Sequence, residues 1–232
     1  LSDQEIREIG LKPWSSAIVD RTMFLTGGSL NALEDIYNGS PISSNLGGGT
    51  HHAYHDKGSG FCIFNDLAIC ALKAIDDYNY KNILIIDLDV HQGDGTASIL
   101  SKRSEIFTFS MHCGKNFPFK KMKSDLDSEL NEGMKDNEYL DILYKNLNTL
   151  NSIKSDIILF QAGVDILKSD RYGKLNLTRN GIKARNKLVF DFANERRNNI
   201  LLFMGGGYSL PIDYSVNSFK DLFIEASKYR KK

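Results

Sequence analysis

Four short apolar runs, at 83–87 (ILIID), 106–110 (IFTFS), 157–160 (IILF) and 200–204 (ILLFM), constrain the fold of this chain more than any other feature. Each has the length of a strand and is rich in β-branched or aromatic residues. Their apolarity is near-continuous rather than alternating, which suits strands of a parallel sheet covered on both faces. Helical spacing fills the intervals: Leu67, Cys70, Ala71, Ala74, Ile75 and Tyr78 share one face before the first run. Tyr139, Ile142, Leu143, Leu147 and Leu150 precede the third run. Ile182, Leu188, Val189, Phe192 and Ala193 precede the fourth, with Thr178 as N-cap. Phe219, Leu222, Phe223, Ala226 and Tyr229 make a last helix. Strands alternating with helices predict an α/β fold with a mainly parallel sheet. With neither repeat nor linker composition, the 232 residues read as a single domain. The polar stretch 115–137 reads either as a functional or mobile connection or as one holding a short solvated helix at 124–130.

Composition excludes several roles. Lys plus Arg is 29 and Asp plus Glu is 29, so no general attraction to nucleic acid or an anionic membrane is expected. No apolar run approaches the roughly 20 residues of a membrane-spanning helix. Cys62, Cys70 and Cys113 are odd in number and form no CxxC pair. That argues against a disulfide scaffold and for a reducing, cytoplasmic setting. Cys62 and Cys113 read as small buried residues near the site.

The chemistry lies in the segments just past the strands. DLDVHQGDG (87–95) comes after the first run, QAGVD (161–165) after the third and GGGY (205–208) after the fourth. In open parallel sheets, ligands bind outside the carboxyl ends of the strands. Asp89 and His91 are two residues apart, so an extended backbone turns both to one side. With Asp165 they supply three N/O ligands and leave an open position, the pattern of a catalytic zinc site. The adjacent His51 and His52 come after three glycines (47–49) and can bind metal or act as acid and base. A Walker P-loop is excluded because its lysine is absent, and 205–208 is not a dinucleotide fingerprint. Tyr208, just past a glycine triplet, is expected to expose its hydroxyl. Phe61 and Phe117 are candidate packing or wall residues, and His55 and His112 are expected in supporting or surface positions.

Taken together, GGGTHHAYHDKGSGFCIFND (47–66), DLDVHQGDG, QAGVDILKSDRYGKLNLT (161–178) and GGGYS resemble the zinc-dependent histone deacetylase family. HQG in place of HHG, and the DRYGKLNL stretch, resemble its class IV branch and bacterial members. The resemblance runs from about Leu11 to Phe223. It implies an arginase-like three-layer α/β/α fold. It also implies zinc (or iron(II)) on Asp89, His91 and Asp165, with His52 as general base and acid and His51 as its electrostatic neighbour. Asp87 and Asp94 orient the pair, Tyr208 polarises the substrate carbonyl, and Gly60, Phe61 and Phe117 wall an acyl-lysine channel. A structural potassium ion near 87–91, with Ser110 in its shell, is implied as well. The expected substrate is an acylated lysine in a protein or an acylated small amine. Family members carry several dozen residues ahead of the segment matching Leu1, so one sheet edge is expected to be missing. Two rivals stand beside this: a binuclear manganese ureohydrolase of the same architecture, and a non-catalytic acyl-lysine-binding remnant.

Overall fold

The computed structural model describes residues 1–229. In chain order its elements are α1 (Asp3–Ile9), α2 (Ser16–Tyr37), β1 (Ile42–Ser44), α3 (Asp66–Asp76), β2 (Ile83–Asp87), α4 (Asp94–Leu100) and β3 (Ile106–Cys113), followed by β4 (Leu126–Leu130), α5 (Asp136–Leu150), β5 (Ile157–Gln161), α6 (Arg179–Glu195), β6 (Asn199–Phe203) and α7 (Asp213–Ala226). Among the described residues the strands form one six-stranded sheet, ordered β1-β6-β5-β2-β3-β4, with every neighbouring pair parallel. This is the expected α/β architecture.

The continuous apolarity of the central strands comes from burial on both faces. Leu84, Ile86, Ile158, Phe160 and Leu202 point into a layer shared with Leu143 and Leu147 of α5, Val189 of α6 and Leu222 of α7. Their chain neighbours Ile83, Ile85, Leu159 and Leu201 point the other way, onto Leu33 and Ile36 of α2 and Leu67 and Ala71 of α3. Register fixes where the chemistry falls. Asp87 of β2 pairs with Gln161 of β5, which pairs with Phe203 of β6, so three neighbouring strands end level. The segments 87–95, 161–165 and 205–208 therefore leave the sheet side by side.

One expectation needs correction, and four elements, α1, α2, β1 and α4, stand where the sequence reading placed none. Residues 124–130 are not a helix: Leu126–Leu130 is the edge strand β4, parallel to β3. Asp125 prepares that pairing by accepting from both the amide and the hydroxyl of Thr108, each at 2.8 Å. Two helices also precede the 47–52 loop, although the sequence reading begins its helices at Leu67. The larger, α2, spans 22 residues and buries only Thr22, Ser29, Ala32, Leu33 and Ile36, so its apolar stripe is faint. Gly27 and Gly28 at its centre read as a break. Gly28 is there because the Asn45 side chain packs on it: a Cβ would sit 2.7 Å from Asn45 Nδ2. Finally, α4 and β1 had no counterpart in the sequence reading. No helix among the described residues is long and apolar enough to cross a membrane.

Candidate active site

Side-chain carboxylates fold the segment after β2 back on itself. Asp87 Oδ1 accepts from the Asp89 amide at 3.1 Å, and Asp89 Oδ1 accepts from the His91 amide at 3.0 Å. Asp89 Oδ2 reaches across to the Gly206 amide (2.8 Å), and Asp165 Oδ1 accepts from the Val90 amide (3.0 Å). The three strand ends are thus stitched together by the carboxylates themselves. His91 Nδ1 lies 3.1 Å from Asp89 Oδ1 and 3.3 Å from Asp165 Oδ2. One ligand atom from each of Asp89, His91 and Asp165 falls within 4.8 Å of the others, and all three residues are buried.

These residues fit a divalent cation. Asp165 Oδ2 is buried and, apart from the ion-pair contact with the His91 ring at 3.3 Å, has no hydrogen-bond partner among the described residues, which leaves it free to take a cation once His91 gives up its proton. Gly206 leaves the space beside it open, since a Cβ at that position would overlap Asp165 Oδ2. Two carboxylates and one imidazole suit zinc and several other first-row ions. Without an ion, burial works against a charge on His91, but the proximity of Asp165 and Asp89 wins and raises its pKa to about 10. Burial and the charge of Asp89 push Asp165 up to about 7. A cation must therefore expel a proton from His91 at any pH below about 10, and a second from Asp165 below about 7. Zinc affinity is expected to rise ~10-fold per pH unit between 7 and 9 and more steeply below 7. Competition titrations against a chelating dye at several pH values measure this, and a flat profile contradicts it.

The two adjacent histidines have opposite electrostatics. His51 Nδ1 is 2.6 Å from Asp87 Oδ2, and its Nε2 is 3.7 Å from Asp89 Oδ1. Burial opposes its charge, but Asp87 and Asp89 overcome that and raise it to about 9. His52 Nδ1 is 2.6 Å from Asp94 Oδ1, whose other oxygen accepts from the Tyr54 hydroxyl at 2.8 Å. Burial, and then the charge on His51 with ring centroids 4.1 Å apart, lower His52 to about 4. One imidazolium and one neutral imidazole therefore sit side by side.

A cavity of about 360 Å³ opens onto this cluster, lined by His51, His52, Asp89, His91, Asp165, Gly60, Phe61, Phe117 and Tyr208. Asp87 and Asp94 stand behind their histidines. The Phe117 ring meets His52 edge-on at 4.9 Å, and Phe61 lies 6.1 Å from Tyr208. Gly60 has φ +53°, and a Cβ there would come within 2.6 Å of His52, so glycine keeps the channel open. Phe61 itself has φ 65°, a strained backbone pinned by the hydrogen bond its amide N–H donates to the Ile9 carbonyl at 2.8 Å. Burial and the charges of Asp165 and Asp89 push the Tyr208 phenol up, so it stays a proton donor. Of the remaining candidates, His55 is exposed. His112 is buried beside Ser110, with Nδ1 2.9 Å from the Ser110 hydroxyl, and burial lowers it to about 4. Cys62, Cys70 and Cys113 are buried and free, and Cys62 lines the cavity.

Residues 4–220 match the family model described as the histone deacetylase domain. The chain belongs to the histone deacetylase family. It is 44% identical over 211 residues to an uncharacterized protein of Picosynechococcus sp., covering 90% of this chain and 69% of that one. It is 32% identical over 168 residues to histone deacetylase 2 of Arabidopsis thaliana, covering 71% of this chain and 43% of that one. The acetoin utilization protein AcuC of Staphylococcus aureus is 33% identical over 201 residues, 80% of this chain and 51% of AcuC. The chain thus spans about half the length of the last two.

Asp66 and Asp170 lie within the quoted motifs without a role assigned to them in the sequence reading, and Gln92 was read there only as a branch marker; all three help build this site. Asp66, at the start of α3, accepts from the amides of Gly49 (3.0 Å) and Thr50 (2.8 Å), the Thr50 hydroxyl and the Ser29 hydroxyl. It holds the loop that presents the histidine pair. Gln92 brackets Met122 with both ends of its amide (2.6 and 2.8 Å) and donates to Asp127 at 2.9 Å, tying the segment after Phe117 to the metal strand. Asp170 accepts from the Tyr208 amide at 2.6 Å and from the amides of Tyr172 and Gly173 at 2.9 Å, fixing the turn that carries the phenol.

Proposed function

We propose that this chain is a metal-dependent amidohydrolase that removes an acyl group, acetyl above all, from the ε-amine of lysine or from a related acylated amine. Residues 1–232 act in this reading as one catalytic domain, with class IV-like character at Gln92. The observation that carries it is one cavity lined by His52, Tyr208, Asp89, His91 and Asp165, in which burial disfavours charge on both His52 and Tyr208. The names of the relatives histone deacetylase 2 and AcuC support the substrate class in part, since the first specifies deacetylation.

Asp89, His91 and Asp165 would hold zinc, with iron(II) an equal chemical fit, and the ion would supply Lewis acidity toward the amide carbonyl and acidify a water. The chain does the rest. With Nδ1–H donated to Asp94, His52 presents the Nε2 lone pair, which takes the proton of the attacking water. The same nitrogen then passes that proton to the leaving amine. Tyr208 donates its hydroxyl to the carbonyl oxygen, and that bond strengthens as the oxygen gains charge. His51, charged beside Asp87, keeps His52 poorly basic until charge develops. Gly60, Phe61 and Phe117 enclose the aliphatic stem of the lysine. The family reading also implies a potassium ion near 87–91, with Ser110 in its shell. A binuclear ureohydrolase is disfavoured because His51 and Asp87 are engaged with each other rather than arranged as ligands of a second ion.

The test is amine release by zinc-loaded protein from a panel of acyl-lysine peptides, acetyl through long-chain, and acylated small amines. Turnover on at least one member is expected. Tyr208→Phe is expected to lower kcat roughly 10²- to 10³-fold with little change in KM, because its bond matters most in the transition state. Folded, zinc-loaded protein that releases no amine from any member overturns the proposal and favours the non-catalytic binding alternative.

A further inference from the structure

Arg185, on α6, is fully buried, yet no carboxylate among the described residues pairs with it. Taking a guanidinium out of water is expensive unless every donor is satisfied. Here the donors go mainly to main-chain oxygens. Nη1 donates to the Gly163 carbonyl at 2.6 Å and, at the 3.5 Å limit, to that of Leu88. Nη2 donates to Ala162 at 3.1 Å, while Nε and Nη2 are braced by the Asn186 amide oxygen at 3.0 and 2.8 Å. Phe160 of β5 lies under the guanidinium at 5.8 Å.

These acceptors are not arbitrary. Ala162 and Gly163 lead from the end of β5 to Asp165, and Leu88 is the residue before Asp89. One rigid planar fork therefore spans the two segments that deliver the two carboxylates. Gly163 also packs against Asp89, since a Cβ there would overlap Asp89 Oδ2. A shift of the Gly163 carbonyl would move both carboxylates at once.

We propose that Arg185 is a positioning residue for the metal centre, setting the separation of Asp89 and Asp165 by holding the carbonyls of Leu88, Ala162 and Gly163. This rests on the metal-site reading above, but not on the deacylase reaction. Lysine keeps the charge at this position but cannot reproduce a planar fork with several fixed donors, so charge and geometry can be separated.

The experiment measures zinc affinity by chelator competition and the visible spectrum of the cobalt(II)-substituted protein, for wild type, Arg185→Lys, Arg185→Met and Val189→Ala. Val189 is a buried residue of the same helix, one turn beyond Arg185, and takes part in none of the Arg185 hydrogen bonds, so its truncation costs stability while leaving the fork and its acceptors in place. Both Arg185 variants are expected to bind zinc roughly 10- to 100-fold more weakly, the usual effect of losing a supporting partner. Their cobalt spectra are expected to change, while Val189→Ala keeps wild-type affinity and spectrum at a lower Tm. Folded Arg185→Lys with wild-type affinity and spectrum overturns the inference, as does an equal loss in Val189→Ala. If Arg185→Met does not fold, Arg185→Lys decides. Wild-type protein that binds zinc but releases no amine fails the deacylase reading and leaves this result standing.

Discussion

Asp89→Asn is expected to abolish amine release and to weaken zinc binding by more than the ~100-fold upper effect of losing a supporting residue. The substitution keeps the volume, so the loss is chemical. Each Asp89 oxygen already has a fixed donor: Oδ1 faces the His91 amide at 3.0 Å, and Oδ2 faces the Gly206 amide at 2.8 Å. An asparagine must turn its NH₂ toward one of these N–H groups, and neither orientation leaves an oxygen at both. The change also removes a negative charge from a site where two carboxylates and one imidazole must balance a dication. Without that charge at 3.7 Å, His51 loses one of the two carboxylates that keep it protonated, so the histidine pair is altered too. Zinc competition and amine release on the same preparation check this. Wild-type zinc affinity in the variant would remove Asp89 from the ligand set.

The parts of this molecule that sequence made visible are those whose side chains meet other side chains or water. The central strands announce themselves because burial on both faces leaves no room for polar residues, and β2 and β5 are buried throughout. The chemistry-bearing segments are legible because DLDVH, QAGVD and GGGY place reactive groups just past those strands. Short and half-exposed elements were not. β1 contributes Ile-Ser-Ser, none of it fully buried, and β4 contributes Leu-Asp-Ser-Glu-Leu at the sheet edge. Each is a strand because a neighbour pairs with it, which no local pattern records. α2 is masked by its two central glycines; Gly28 answers to the approach of Asn45 from elsewhere in the chain, while nothing packs where a Cβ on Gly27 would sit. Asp66, Asp170 and Arg185 were missed for a related cause. Their partners are largely backbone groups, which every residue carries alike.

His52→Ala is expected to separate metal binding from catalysis: zinc affinity stays within a few-fold of wild type, while turnover falls at least ~10²-fold. His52 is outside the Asp89, His91 and Asp165 group, and its Nδ1 is committed to Asp94 at 2.6 Å, so its loss removes no ligand. What goes is the nitrogen that collects the water's proton and returns it to the amine. The pH profile sharpens the test. His52, lowered to about 4 by burial and by His51, is unprotonated above that value and able to act as a base. His51, raised to about 9 by Asp87 and Asp89 against its burial, loses its charge above that value. At saturating zinc, wild-type turnover should therefore rise with pH as His52 sheds its proton and then hold across neutrality, where His51 keeps its charge. In His52→Ala the rising arm should vanish along with the rate, because no proton acceptor remains to be unmasked. Turnover at the wild-type level would take His52 out of the reaction, and lost zinc binding would place it among the groups that build the metal centre.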